Sequence, residues 1–288
     1  MTRGPHVLAA HADVLRTKVG AAFPGSRAVF RGHDLHKGDI KDLDWLSLCA
    51  FGIFGRHVPP EQLRLFNSVW VWTSYPDSRL WNNRVAALAG TTRSTPTLSL
   101  CAAQALSEAA IYGRGIEFRA VDFYNKTREI LEGGVTLAEH LEAFLKGGGR
   151  MAGFGRPIAT ADERVALSHA LACELGLADG YHVRLALEID AYFAATRPHL
   201  RINVAGLYSA FAADFGWTPR EFGLFMFVTF QAGMHPCYLE AADKPPGAMF
   251  PVRCADVRYE GVPARTWPSS ALRSHAPPPR RRPTRRPP

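Results

Sequence analysis

The sequence contains no CxxC pair and no Cys/His spacing of the zinc-finger kind. Its five cysteines, Cys49, Cys101, Cys173, Cys237 and Cys254, are odd in number and widely scattered. This argues against a disulfide framework and a structural zinc, and reduced, mostly buried thiols in a cytoplasmic protein are expected. Long apolar runs are also missing. The most apolar window, Phe222 to Met234, is 13 residues, too short for the roughly 30 Å of a bilayer core, so no membrane span is expected. The first 25 residues carry charges and prolines inside any apolar stretch and do not read as a secretory signal. There is no GxxxxGK[ST] and no GxGxxG between a strand and a helix, which disfavours phosphate-loop chemistry.

What is present describes a folded chain. At 288 residues, with 47% hydrophobic and 21% charged residues, it is long enough for one large domain or two interlocked ones. The formal charge of +8 is unevenly placed. Residues 269–288 hold Arg273, Arg280, Arg281, Arg282, Arg285 and Arg286 with no acid, leaving 28 basic against 26 acidic residues elsewhere. The body is nearly neutral. The tail, rich in Pro and Arg, is expected to be disordered and solvated, attracting nucleic acid only non-specifically.

Helical signals dominate. Pro59 and Pro60 lead into an amphipathic run from Glu61 to Trp72; Thr95 and Pro96 open an Ala-rich helix predicted to reach about Ile111. Thr136 and Glu139 form a capping box, with Gly147 placed to close that helix in the left-handed conformation, and Thr218, Pro219 and Glu221 repeat the opening pattern. Further helices are expected from Ala161 to Leu175 and from about Val183 to Thr196. Only Ser26 to Phe30 and Asp256 to Tyr259 read as extended. The fold class expected is all-α.

The chemistry concentrates in Gly153-Phe154-Gly155-Arg156 and the following Asp162-Glu163-Arg164. A glycine turn delivers one guanidinium, and a helix start supplies open N–H groups and a second, which is the composition of an anion site. A tight turn with Asp162 as an ordinary helix cap is the plainer reading, and spacing alone favours it. His33 and His36, with Asp34, could be half of a metal site, but a solvated helix-start cluster is the simpler account. Trp70 and Trp72 read as core or interface, and His169 as a helix-surface or satisfied core residue.

These segments together resemble the citrate synthase family. Gly153 to Arg164 is similar to the family's Gly-Phe-Gly-His turn followed by Asp-Pro-Arg, although one residue shorter. Arg31-Gly32-His33-Asp34 resembles its Arg-Gly-Tyr segment, Ile111 to Gly115 its Leu-His-Gly-Gly, Asn203-Val204-Ala205-Gly206 its Asn-Val-Asp, and Leu224 to Glu240 its late Leu-Phe to Leu-Glu helix. Five segments fall in the family's order across residues 27 to 268. The resemblance implies an all-α homodimer with a large helical domain (1–115 and 211–268), a small domain (116–210) and the tail. It also implies an acyltransferase that joins acetyl-CoA or a related acyl-CoA to oxaloacetate or another 2-oxo acid, or cleaves citryl-CoA. Acyl-CoA would be a co-substrate, with no permanently bound cofactor.

The family's catalytic His, His and Asp positions are occupied here by Tyr112, Arg156 and Ala205. The resemblance thus implies Tyr112 and Arg156 as catalytic residues: the phenol as a donor to an enolate oxygen, the guanidinium polarising a carbonyl or holding a carboxylate. Arg164, His235 and Asn203 are the implied substrate-binding residues, Arg164 in the bidentate mode. Ala205 can do no acid–base work, a loss of about 10² to 10⁴ in rate where general-base catalysis is needed. Glu117, Asp122 and Asp190 are candidates for a displaced base and otherwise read as surface carboxylates. A non-catalytic homologue binding CoA or a di- or tricarboxylate is the alternative.

Overall fold

The computed structural model describes residues 4–13, 15–109, 113, 115–156, 161–263 and 265–266. Tyr112 and the Arg-rich tail lie outside them. Residues up to Met249 form one compact unit and residues from Phe250 a second.

The first unit opens with a short helix α1 (Pro5–Ala9) and an antiparallel meander of β1 (Gly20–Phe23), β2 (Arg27–Phe30) and β3 (His33–Asp34), with Ala21 opposite Val29 and Val29 opposite Asp34. The expected extended segment before residue 31 is β2. His33 and Asp34 form a strand, where a helix start was expected, because the chain folds back as a hairpin; His33 meets the Phe51 ring edge-on at 5.4 Å. Among the described residues no group of His, Cys, Asp and Glu is arranged to hold a metal. Arg31 takes a left-handed φ of 46° and donates from Nε and Nη2 to Gly52 O at 3.0 and 2.7 Å. It ties the meander to the following helix.

Helices then build the body: α2 (Trp45–Phe54), α3 (Pro60–Thr73), α4 (Trp81–Thr91), α5 (Pro96–Leu106), α6 (Gly115–Glu132), α7 (Leu137–Lys146), α8 (Glu163–Glu174), α9 (Tyr181–Thr196), α10 (Val204–Asp214), α11 (Pro219–Phe225) and α12 (Gln231–Asp243). Both expected capping boxes form, at Thr136/Glu139 and Thr218/Glu221. Two helix ends differ from expectation. α5 stops at Leu106, not near Ile111, since Glu108 bridges back to Gly113 and the Ser107 carbonyl packs against that glycine. After α7 the left-handed residue is Gly148 (φ 81°), while Gly147 stays at φ −73°.

α10 is the centre. Eight consecutive residues, Gly206 to Ala213, are buried, and a helix apolar on all sides belongs inside a bundle. It packs against α6, α8 and α9. An aromatic cluster surrounds it: Phe66 stacks on Trp217 at 4.6 Å and meets Tyr208 edge-on at 5.3 Å, and Trp70 packs on Phe225 at 5.1 Å. The Tyr208 hydroxyl satisfies its polarity by donating to Leu65 O at 3.0 Å. A second, smaller core joins α4, α5 and α12 through Ala86, Ala103, Met234 and Tyr238.

In the second unit Arg253 pairs with Asp256 at 2.9 Å across a 3-10 turn. Residues 256–259, expected to be extended, join no strand because no partner segment pairs with them among the described residues. The expectation of mostly buried thiols is also corrected. Only Cys237 is buried, while Cys101, Cys173 and Cys254 are exposed.

Candidate functional site

The glycine turn is held by its neighbours' backbone. Gly155 N donates to Arg201 O at 2.6 Å, Asn203 N donates to Gly153 O at 2.9 Å, and Phe154 pairs with Ile202 as a short antiparallel bridge. Gly153 adopts φ 84° and Gly155 φ 83°, conformations that favour glycine. Gly153 also lies against Gly206 so closely that a Cβ on either would strike the other's backbone. Asn203 closes the joint with both ends of its amide. Oδ1 accepts from Gly206 N at 3.1 Å as the α10 N-cap, and Nδ2 donates to Gly155 O at 2.9 Å. The residue expected to bind substrate is thus 9% exposed and binds the loop.

Asp162 sits where two helices begin. Its Oδ1 accepts from Arg164 N (3.1 Å) and Arg164 Nε (2.8 Å); its Oδ2 accepts from Arg164 Nη2 (2.8 Å) and Val204 N (2.9 Å). One carboxylate therefore caps α8 and α10 at once, at the positive ends of both macrodipoles. Burial alone would raise its pKa. The bonds and charge of Arg164, with Val204 N, overcome that and hold the carboxyl below the ordinary range. The plain reading of Asp162 as a cap is correct but incomplete, because the same group serves a second helix 42 residues away.

Around this knot the other charges alternate. Arg156 Nη1 donates to Glu163 Oε2 at 2.6 Å and to Ala161 O at 3.0 Å, and lies 3.9 Å from Asp162 Oδ1. Tyr75, from the α3–α4 connection, donates its hydroxyl to Glu163 Oε1 at 2.9 Å. The Arg164 guanidinium lies over the Tyr75 ring, 5.7 Å from its centre. Two arginines thus face two carboxylates and a phenol. This arrangement can hold a carboxylate by charge-assisted hydrogen bonds.

The expected site residues divide accordingly. Arg156, Arg164 and Asn203 come together at the start of α8 and α10. His235 does not join them: it is exposed in the first turns of α12, with Nδ1 2.7 Å from Gln231 O. The start of α12 does reach the neighbourhood, since Gly233 packs directly on the Tyr75 carbonyl. Ala205 is the second residue of α10 and half-buried.

The candidate bases differ from a uniform set of surface carboxylates. Asp122 is exposed and pairs with Lys126 at 2.7 Å. Asp190 is partly buried and gripped by Arg201 (2.6 and 2.8 Å) and Ile202 N (2.7 Å), bonds that overcome burial and lower its pKa. Glu117, on the first turn of α6, is 4% exposed because that turn faces the bundle. Sequence reasoning missed Tyr75 and Glu163 as site residues. No local motif marks Tyr75, whose partner Glu163 lies 88 residues away in the chain.

No protein-family profile and no curated protein sequence matches the chain. Solved structures do. Citryl-CoA lyase from Hydrogenobacter thermophilus superposes with a TM-score of 0.74 at 18% identity, over 90% of this chain and 99% of the other. ATP citrate lyase from Methanothrix soehngenii, solved with citrate and coenzyme A, gives 0.67 at 16% identity over 92% of this chain, which spans 45% of that one. Citrate synthase from Thermotoga maritima gives 0.61 at 16% identity, over 80% and 61% of the two chains. At these identities the likeness is one of fold. The chain has the mostly helical citrate synthase-like fold.

Proposed function

We propose that the chain binds a di- or tricarboxylate and an acyl-CoA, and acts as a citrate synthase-like acyltransferase on a 2-oxo acid or as a citryl-CoA lyase. The observation that carries this reading is the pair of guanidiniums, Arg156 and Arg164, converging beside the starts of α8 and α10. Arg164 is aimed by the double-capping Asp162, and Arg156 by the Ala161 carbonyl. In this reading Arg164 and Arg156 bind the carboxylates, Tyr112 hydrogen-bonds the developing enolate, and Asn203 sets the loop. A homodimer in the cytoplasm, with the division into large and small domains expected from sequence, belongs to the same proposal.

The base is the open position. Asp162 and Asp190 are tied down by arginines and backbone amides, which makes them weak proton acceptors. Glu117, buried in the first turn of α6 and five residues beyond Tyr112 in sequence, is the carboxylate we assign to that role. Ala205 supports a second reading, a non-catalytic homologue that binds carboxylates or CoA, since a methyl group stands where the family has its acid.

Thiol release from acetyl-CoA and propionyl-CoA, with and without oxaloacetate, tests both, as does cleavage of citryl-CoA. Acceptor-dependent release that is lost in Glu117→Gln is the expected result. No release in any direction, with citrate still bound by calorimetry, selects the second reading, and Ala205→Asp then reports whether only the base was missing.

A further inference from the structure

The two acids of the cluster are held very differently. Asp162 has a side chain with no exposed surface and accepts four hydrogen bonds from groups fixed in α8 and α10. Glu163 is the first residue of α8, with 62% of its side chain exposed, and is held at the end of a flexible stem by one arginine and one phenol. Its two oxygens take separate donors, Oε2 from Arg156 and Oε1 from Tyr75. These donors do not depend on Glu163 for their placement. Arg156 is also anchored on the Ala161 carbonyl, and Tyr75 by Arg164 over its ring and by Gly233 against its carbonyl. The cradle therefore persists if the Glu163 carboxylate turns out into solvent. Its own backbone amide first, and then Arg156, hold the Glu163 carboxyl below its ordinary pKa, so it is an anion near neutral pH.

We propose that Glu163 is a built-in occupant of a carboxylate cradle made by Arg156 and Tyr75, and that one carboxylate of a di- or tricarboxylate ligand enters by displacing it. The inference rests on the carboxylate-binding reading above and adds its regulation: the chain competes with its own ligand. Apparent affinity is the intrinsic affinity scaled by the fraction of molecules with the cradle open. An exposed ion pair reinforced by one phenolic hydrogen bond keeps that fraction small but not negligible, which sets the expected effect at about three- to tenfold.

Calorimetric titration of the full chain with citrate, without acyl-CoA, tests this on four proteins. Glu163→Gln keeps the shape and removes the competing charge; Asp77→Asn removes the same charge two residues from Tyr75 without touching the cradle; Arg156→Ala in the Glu163→Gln background removes the cradle itself. Citrate should bind Glu163→Gln about three- to tenfold more tightly than the natural chain, bind Asp77→Asn with little change, and lose the gain when Arg156 is removed. Equal affinity for the natural chain and Glu163→Gln overturns displacement while leaving the carboxylate reading intact. An equal gain in Asp77→Asn also overturns it, as a general field effect. Absence of citrate binding in every variant overturns the inference and the reading together.

Discussion

Replacing Asp162 by Asn removes one charge from a position with no exposed surface. The amide keeps the shape but offers one acceptor oxygen where the carboxylate uses two, so its NH₂ must face either the Arg164 Nη2 and Val204 N–H donors or the Arg164 Nε and N–H donors. Arg164, with a side chain 13% exposed, then loses its counter-ion. Breaking a buried pair from one side costs about 3–5 kcal/mol. The slight exposure of Arg164 reduces this, and we expect a loss of about 2–4 kcal/mol in urea denaturation at pH 7. The sign with pH follows from linkage. Asp162 titrates lower in the folded chain than its ordinary 3.8, so its contribution is complete above that value and is lost as pH falls below it. The gap between natural chain and variant should therefore close as acid is approached. A loss below about 1 kcal/mol at neutral pH, or a gap that stays constant into acid, refutes the double-cap account; so does strict additivity of Asp162→Ala with Arg164→Ala, since contacting partners should couple.

Two further substitutions probe the frame. Gly206→Ala places a methyl against the Gly153 carbonyl and should cost about 1–3 kcal/mol through forced separation of two backbones, with Tm unchanged if the contact is loose. Asp214 accepts from His182 N (2.8 Å), His182 Nδ1 (2.8 Å) and Val183 N (3.0 Å), capping α9 from the end of α10; Asp214→Ala should cost about 1–3 kcal/mol, and a thermal denaturation curve superposing on that of the natural chain would remove it from that role.

The parts of the fold legible in sequence are those that local chemistry decides. Thr136 with Glu139 and Thr218 with Glu221 satisfy orphan amides within one turn, so the boxes could be read directly and are present. The end of α5 could not, because Ser107 and Gly113 meet through a chain reversal that no local residue dictates. The same distinction runs through the site. Arg156 and Arg164 stand out beside a glycine turn, whereas their partners depend on distant segments: Tyr75 reaches Glu163 across 88 residues and Asp162 reaches Val204 across 42. Glu117 was misread for a related reason. A charged residue in a helix reads as surface unless the neighbouring elements are known, and here the first turn of α6 faces inward.

The joint between Gly153 and Gly206 also determines what can move. Residues 153–155 and 201–206 are bound by backbone pairing, by both ends of the Asn203 amide and by a contact with no space for a side chain. Such a joint behaves as a rigid chassis, in which displacing one segment requires breaking the other. The adaptable part beside it is the exposed Glu163 side chain at the start of α8, whose donors Arg156 and Tyr75 stay anchored. On the proposed carboxylate-binding reading, accommodating differently sized acids would be a matter of the Glu163 rotamer, and a collection of variants at positions 75, 156 and 163 would alter ligand preference while the backbone beneath stays unchanged.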